Sequence, residues 1–468
     1  MSRRRWCNGG VIKAAYMVWF EQLDLESLAP FALANANSNK LIWLDSSDNE
    51  HRLGRYSYIC LDPVRMFEAW DPASKRAVMR RVAKSMAETG NHVPPTPFSG
   101  GLVGVLNYEA CKSILWEQID RPADPNAFCY FGLYDTIIAL DHYENAAWII
   151  SRGFSEDRLD PDQTRAMQKI SDVLHRIENC RARPLRPSRL EWTFDVSKQD
   201  FVASVQELQT LIEEGDLFQA NLSQNLSARV PPACAPLSLY LAARRSNPAP
   251  FSAFAQIDDR AIISTSPERL IHADADGTVE ARPIKGTIKR ARYQHADAAL
   301  QKALLESEKD RAENTMIVDL LRNDLSRVSE AASVEVKELC ALESYAGLHQ
   351  LTSSITAKLS TDKDVFDLLQ ALVPGGSITG APKIRSVEVI EALEQGPRGM
   401  FCGTLGYIGF DGASDFNILI RTIEVEGDKA RLTVCAGITH LSEPVAEYEE
   451  TLLKAERLVE CSLNEEAR

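Results

Sequence analysis

The apolar residues of this chain fall into short runs that do not alternate regularly between strand and helix, and that irregularity restricts the fold more than any other feature. Leu41 to Leu44, Tyr56 to Cys60, Gly101 to Asn107 and Thr136 to Leu140 have the length and apolar content of strands, separated by polar or Gly/Pro turns. A helix around Lys75 to Glu88 interrupts them. Further on, Phe201 to Glu214 has helical spacing, Ala261 to Ser264 reads as a strand, and Gln301 to Leu325 reads as one long helix. A helix over Ile384 to Leu393, strands near Thr404 to Gly409, Ile418 to Glu424 and Ala430 to Val434, and a last helix from Val445 complete the pattern. A TIM barrel or Rossmann fold requires regular β/α alternation, so the expectation is α+β with a strong antiparallel component.

The 468 residues allow two or three average domains or one large unit, and 45% hydrophobic with 25% charged residues is a globular composition. No apolar run approaches the roughly 18 residues of a membrane span. A net charge of −14 opposes broad binding to nucleic acid or an anionic membrane, so an anionic substrate would need local cations or a metal. Ten cysteines without CxxC pairs or Cys/His metal spacing suit reduced cytosolic thiols. The start, with three arginines in Met1 to Trp6 and an apolar patch near Val18 and Phe20 broken by Lys13, lacks a clean cleavage site. It reads as a ragged cytoplasmic N-terminus or a mis-assigned initiator. Prolines and arginines over Arg181 to Pro187 divide the chain into regions 1–180 and 190–468.

Three segments carry chemistry. Lys285, in Arg282-Pro283-Ile284-Lys285-Gly286-Thr287, is an amine in a tight turn: a nucleophile if its charge is suppressed, with Lys289 and Arg290 close enough in sequence to help, or else an ordinary solvated lysine. Asp310 with Glu313, and Glu447 with Glu450, are acidic pairs at i, i+3 on helices. Singly, each has the makeup of a solvated helix face; together they could surround a hard cation such as Mg2+, which takes a few carboxylates plus a ligand's oxygens. Pro374 to Lys383 is a glycine-rich loop opening into a helix, able to aim backbone N–H groups at a carboxylate or phosphate, or simply a structural turn. It does not match GxxxxGK[ST], so no nucleotide is indicated.

Taken together, the chain from about Phe201 to Leu458 resembles the chorismate-utilising enzymes in motif and in order. The resembling segments are Gly215 to Ser223, Ser266 to Arg269, Asp310 to Asn314 with Val318 to Asp324, Gly375 to Lys383, Ile420 to Thr422, and Glu447 to Thr451. Gly54 to Tyr58 and Pro97 through Glu109 look more loosely like the same family's N-terminal region, so 1–180 is expected to be component I-like and 190–468 the chorismate-binding catalytic region. The residue at Lys285 sorts the family: anthranilate synthase large subunits usually carry alanine there, whereas the aminodeoxychorismate synthase component I branch carries lysine. The resemblance therefore implies two facing antiparallel sheets flanked by helices. It also implies replacement of the chorismate C4 hydroxyl by an amino group for p-aminobenzoate and folate synthesis, with anthranilate synthesis as the alternative.

By the same resemblance Lys285 attacks chorismate, Glu268 is the acid/base, and Asp310, Glu313, Glu447 and Glu450 hold Mg2+. Gly286, Thr287, Phe401, Arg421, Cys435, Ala436, Gly437 and Lys454 hold the substrate. Arg421 suits a bidentate carboxylate contact in what reads as an apolar strand. Phe401 stands where the family usually has tyrosine, Gln350 where it has histidine, Cys435 where it has glycine and Leu441 where it has aspartate. These departures touch the positioning of chorismate rather than the reaction class. No nucleophile-elbow cysteine of an amidotransferase is present, so ammonia is expected from a separate glutamine amidotransferase subunit. Trp43 to Ser46 and Asn247 to Phe251 resemble segments that hold tryptophan in relatives, and no feedback role is expected of them.

Overall fold

The computed structural model describes residues 19–23, 40–48, 51–87, 94–179, 189–344 and 348–461; the arginine-rich start and the stretch 181–187 lie outside them. Residues alternate between two surroundings along each central strand, as the two-residue repeat of a strand requires. In Leu41–Asp45, Ile42 packs into one core while Leu41 and Trp43 pack into another. In Gly101–Leu106, Val103 and Val105 share the core of Ile42, while Leu102 and Leu106 join a third. The core common to both strands is the layer between two sheets, and the other two are roofed by helices.

Among the described residues one sheet has twelve strands and the other ten, and every strand pairing is antiparallel. The α+β expectation of two antiparallel sheets flanked by helices is met. Both sheets draw strands from either side of residue 185. Leu41–Asp45 pairs with Phe251–Ile257 in the larger sheet. Gly101–Leu106 pairs with Thr404–Gly409 in the smaller, Gly101 opposite Gly409. Helices Pro72–Ala87, Tyr108–Glu117 and Glu308–Ser326 cover the outer face of the smaller sheet, and Gln163–Glu178 and Pro236–Ser246 that of the larger. No helix among the described residues is long and apolar enough to cross a membrane.

Two elements differ from the sequence reading. The expected helix Gln301 to Leu325 is two helices, Gln294–Leu305 and Glu308–Ser326, because Ser307 caps the second. Its hydroxyl accepts the Asp310 N–H and donates to Asp310 Oδ2 at 2.5 Å, and such a cap satisfies an otherwise orphaned donor. The expected strand Ile418 to Glu424 begins only at Thr422, because Arg421 has φ +50° and ends the extended path there.

A carboxyl from the N-terminal half braces the turn that leads into the Thr404–Gly409 strand. Glu109 accepts from the N–H of Arg398 at 2.8 Å and of Gly399 at 3.1 Å. Burial pushes its pKa from 4.5 up to about 7, although its own backbone N–H and that of Arg398 oppose the shift. Its folded value lies above its unfolded one, so its contribution to stability is present in acid and is lost as pH rises through about 7. Glu109→Gln is expected to remove this dependence. The wild-type minus variant difference in unfolding free energy, from denaturant titrations at about pH 5 and about pH 8, should fall by roughly 2.5 kcal/mol between them.

Candidate active site

Lys285 lies on Ile284–Lys289, which pairs with Leu348–Lys358. The register slips between Lys285 and Thr287, so Gly286 is the extra residue of a bulge, with φ +71°. A Cβ at Gly286 would sit 2.9 Å from Asp310 Cγ, so both the conformation and the space require glycine. The bulge aims Lys285 across to the glycine-rich loop, where Nζ donates to the Ser377 carbonyl at 3.2 Å. Of the cations expected to help it, Arg290 is bound to Asp297 at 3.0 Å and Lys289 is exposed.

Glu268 follows the strand Arg260–Ser266 and is buried. Burial pushes its carboxyl above the usual range, against the pull of Ser377, the Lys285 ammonium, the Ile284 backbone and Arg421. Burial likewise raises Glu313, opposed by Lys285 and Lys309. At Glu450 burial also acts upward, but Lys454, Lys309 and Lys285 outweigh it and hold the carboxyl below its ordinary value. The Lys285 charge is thus felt by Glu268 and by one member of each acidic pair. Lys309 bonds Glu447 at 3.0 Å and joins the helices that carry the two pairs, while Lys454 bonds Glu450 at 2.6 Å and the Cys435 carbonyl at 3.0 Å.

As the side chains stand, no group of three or more His, Cys, Asp or Glu among the described residues is drawn together around a metal position. The acids nevertheless suit Mg2+. Glu313 Oε1 and Glu447 Oε2 are buried without a hydrogen-bond partner, and this ion takes one or two carboxylates with its remaining positions filled by water and substrate oxygens.

Arg421 is not the strand residue expected. It occupies the left-handed turn before Thr422–Glu426, half-buried, with Nη1 3.5 Å from Asn247 Oδ1. Burial and then the like charge of Arg457 make its guanidinium less basic than usual, with Glu268 acting the other way. Among the described residues it makes no ion pair, and a positive φ at a non-glycine residue is the kind of strain that accompanies binding sites. Ala436 and Gly437 end the strand Lys429–Ile438 beside Gln219–Arg229. Phe401 is buried in apolar surroundings, Cys435 is a half-buried free thiol, and Thr287 is exposed with its hydroxyl 3.5 Å from the Gln350 amide. His349, one residue before Gln350, is buried and held between Asp297 at 3.0 Å and Ser344 at 2.7 Å.

Sequence reasoning passed over Gln219. Its side chain is fully buried with neither amide atom paired, and a Cβ at Gly437 would meet Nε2 at 2.7 Å. Nothing in an isolated glutamine announces this; it emerges only when the strands Gln219–Arg229 and Lys429–Ile438 are paired. Leu44 to Ser46 and Pro250 to Ser252 line a cavity of about 290 Å3 together with Arg269, the residue after Glu268, and the Ser46 hydroxyl donates to Pro250 O at 2.9 Å. Trp43 turns away into the core beneath.

The family model described as "chorismate binding enzyme" matches residues 39–460, across both sheets and all of these residues. The chain belongs to the chorismate-binding enzymes. Similar members include the aminodeoxychorismate synthase of Streptomyces pristinaespiralis, 34% identical over 457 residues, which cover 92% of this chain and 62% of that protein. The chain thus spans less than two thirds of that relative's length. Aminodeoxychorismate synthase component 1 of Salmonella typhimurium is 34% identical, with 90% of this chain and 93% of that protein covered. Among solved structures, anthranilate synthase component I from Streptococcus pneumoniae superposes with a TM-score of 0.76 at 30% identity, covering 86% of this chain and 92% of the other. The chain therefore shares its fold with an anthranilate synthase component I.

Proposed function

We propose that the chain is a component I aminodeoxychorismate synthase. It uses ammonia to convert chorismate to 4-amino-4-deoxychorismate, a transfer of the transaminase class, in the cytoplasm on the route to p-aminobenzoate and folate. The observation that carries the reading is Lys285, aimed by the Gly286 bulge at the glycine-rich loop and felt by Glu268, Glu313 and Glu450. Lys285, as the free amine, forms a bond to chorismate C2 while both conjugated ring double bonds shift towards C4 and the C4–O bond breaks. Glu268, whose protonated form burial favours, gives a proton to the leaving oxygen, which departs as water. Ammonia then bonds to C4, both ring double bonds shift back, the C2–N bond breaks, and the amine returns to Lys285. Arg421, without an acidic partner of its own, suits one substrate carboxylate.

Asp310, Glu313, Glu447 and Glu450 would hold Mg2+, which when bound supplies positive charge for the other carboxylate. Gly286, Thr287, Phe401, Cys435, Ala436, Gly437 and Lys454 would line the substrate. Ammonia would come from a separate glutamine amidotransferase subunit, in keeping with "component 1" in the names of relatives.

The purified chain incubated with chorismate, magnesium and an ammonium salt is expected to yield aminodeoxychorismate by mass, with the enolpyruvyl group retained. Anthranilate with released pyruvate would replace this reading by that of the Streptococcus neighbour, and no turnover would leave a glutaminase-binding scaffold.

A further inference from the structure

Lys285 is anchored through one backbone oxygen, and that oxygen is itself held by a buried amide. The Ser377 carbonyl that accepts from Lys285 Nζ begins a run of three carbonyls, each gripped by a side chain from outside the loop. Asn221 Nδ2 donates to Ser377 O at 3.3 Å and to Thr379 O at 3.2 Å, and the Asn221 backbone N–H adds a bond to Thr379 O at 2.7 Å. Arg398 Nη1 donates to Ile378 O at 3.0 Å, and its Nη2 to the carbonyl of Asn221 at 2.6 Å. Arg398 is in turn fixed by Glu394 through bonds of 2.9 and 2.7 Å. Asn221 and Arg398 are both at most 3% exposed, so water does not compete for these donors.

We propose that Asn221, braced by Arg398, is a positioning residue for the Lys285 amine: its side-chain amide fixes the Ser377 carbonyl from which Nζ takes its direction. The inference rests on the reading of Lys285 as nucleophile. A lysine has a flexible four-carbon stem and reacts in one geometry only if something holds its nitrogen. A carbonyl is suited to this, since it accepts one N–H without taking the proton and leaves the amine lone pair free. The carbonyl must itself be immobile, because a misplacement of about 1 Å costs roughly a hundredfold in rate. Asparagine supplies two N–H groups in one plane, matching two carbonyls two residues apart, whereas an aspartate would face both with acceptors.

The test is a double-mutant cycle on Asn221 and Lys285 with chorismate, magnesium and an ammonium salt. It follows the single-turnover rate of adduct formation by intact mass, together with kcat and the KM for chorismate. Asn221→Ala is expected to slow adduct formation and kcat by roughly 30- to 100-fold, with KM within about threefold, and to cause no further loss in a Lys285→Ala background. An unchanged rate, or the same fold loss in that background as in the wild type, would mean that Asn221 serves the fold and overturns the inference. Should Asn221→Ala not fold, Asn221→Ser keeps one shorter donor and is expected to lose roughly 5- to 20-fold in kcat; no loss there overturns it equally. If Lys285→Ala is itself fully active, the nucleophile reading falls and this inference with it, whereas additive losses on a slow Lys285→Ala remove only the role of Asn221.

Discussion

Replacing Lys285 with alanine is expected to slow chorismate amination by roughly a thousandfold, about 4 kcal/mol of transition-state stabilisation, and to abolish any chorismate-derived mass on the protein. Two roles for the lysine have to be separated, because its charge also acts on Glu268, Glu313 and Glu450. Lys285→Arg separates them: the guanidinium keeps the charge but stays protonated and is no nucleophile. Equal losses in the alanine and arginine variants, read from kcat and from the mass of the trapped protein, mark a covalent role. An arginine variant with nearly full activity would reduce Lys285 to a counter-charge, and unchanged kinetics in both would remove the covalent route.

Arg398→Ala is expected to cost 3 to 5 kcal/mol of stability, roughly the penalty for breaking a buried ion pair by removing one partner. The deletion leaves the Glu394 carboxylate, 7% exposed, without its counter-charge and with the Ser223 N–H as its remaining donor, and takes the donors from Ile378 O and Asn221 O. It also removes a cation lying 4.8 Å from the Tyr108 ring centre. The ion pair and the carbonyl clamp can be told apart, because a buried pair replaced on both sides by apolar residues is often nearly neutral. Arg398→Met with Glu394→Leu should therefore recover about half of the loss in a denaturant titration, the remainder belonging to the two abandoned carbonyls at roughly 1 kcal/mol or more each. Full recovery would show that those carbonyls find other donors, and no recovery that the ion pair is not the main term.

Much of the site was legible because its chemistry sits in local spacing. Asp310 and Glu313 share a helix face whatever the helix packs against, and a glycine after Lys285 already points to a backbone that other residues avoid. What the sequence hid depends on partners far along the chain. The helical period of Gln301 to Leu325 runs through Ser307, and only the bonds between Ser307 and Asp310 mark a new helix start. Arg421 reads as part of an apolar strand because its neighbours are apolar, yet its left-handed turn is imposed by contacts such as Thr265 N–H with its carbonyl at 3.1 Å. Gln219 and Asn221 stand two apart in one strand and look alike in sequence. One is left unpaired beside Gly437 and the other holds the glycine-rich loop, a distinction that lies in the pairing and not in the residue type.

The two sheets give the chain a particular history during synthesis. Gly101–Leu106 is made early, yet one of its edges waits for Thr404–Gly409, some three hundred residues later, and Leu41–Asp45 waits for Phe251–Ile257. Contacts so distant in sequence make for slow folding and leave hydrogen-bonding edges open in the meantime. At a ribosomal rate of roughly 5–20 residues per second, the Gly101 edge stays unsatisfied for about 15–60 seconds, during which a nascent chain carries apolar strands such as Gly101–Leu106 without their neighbours. The architecture that collects catalytic groups from distant segments is also one that depends on protection until nearly the last strand has emerged.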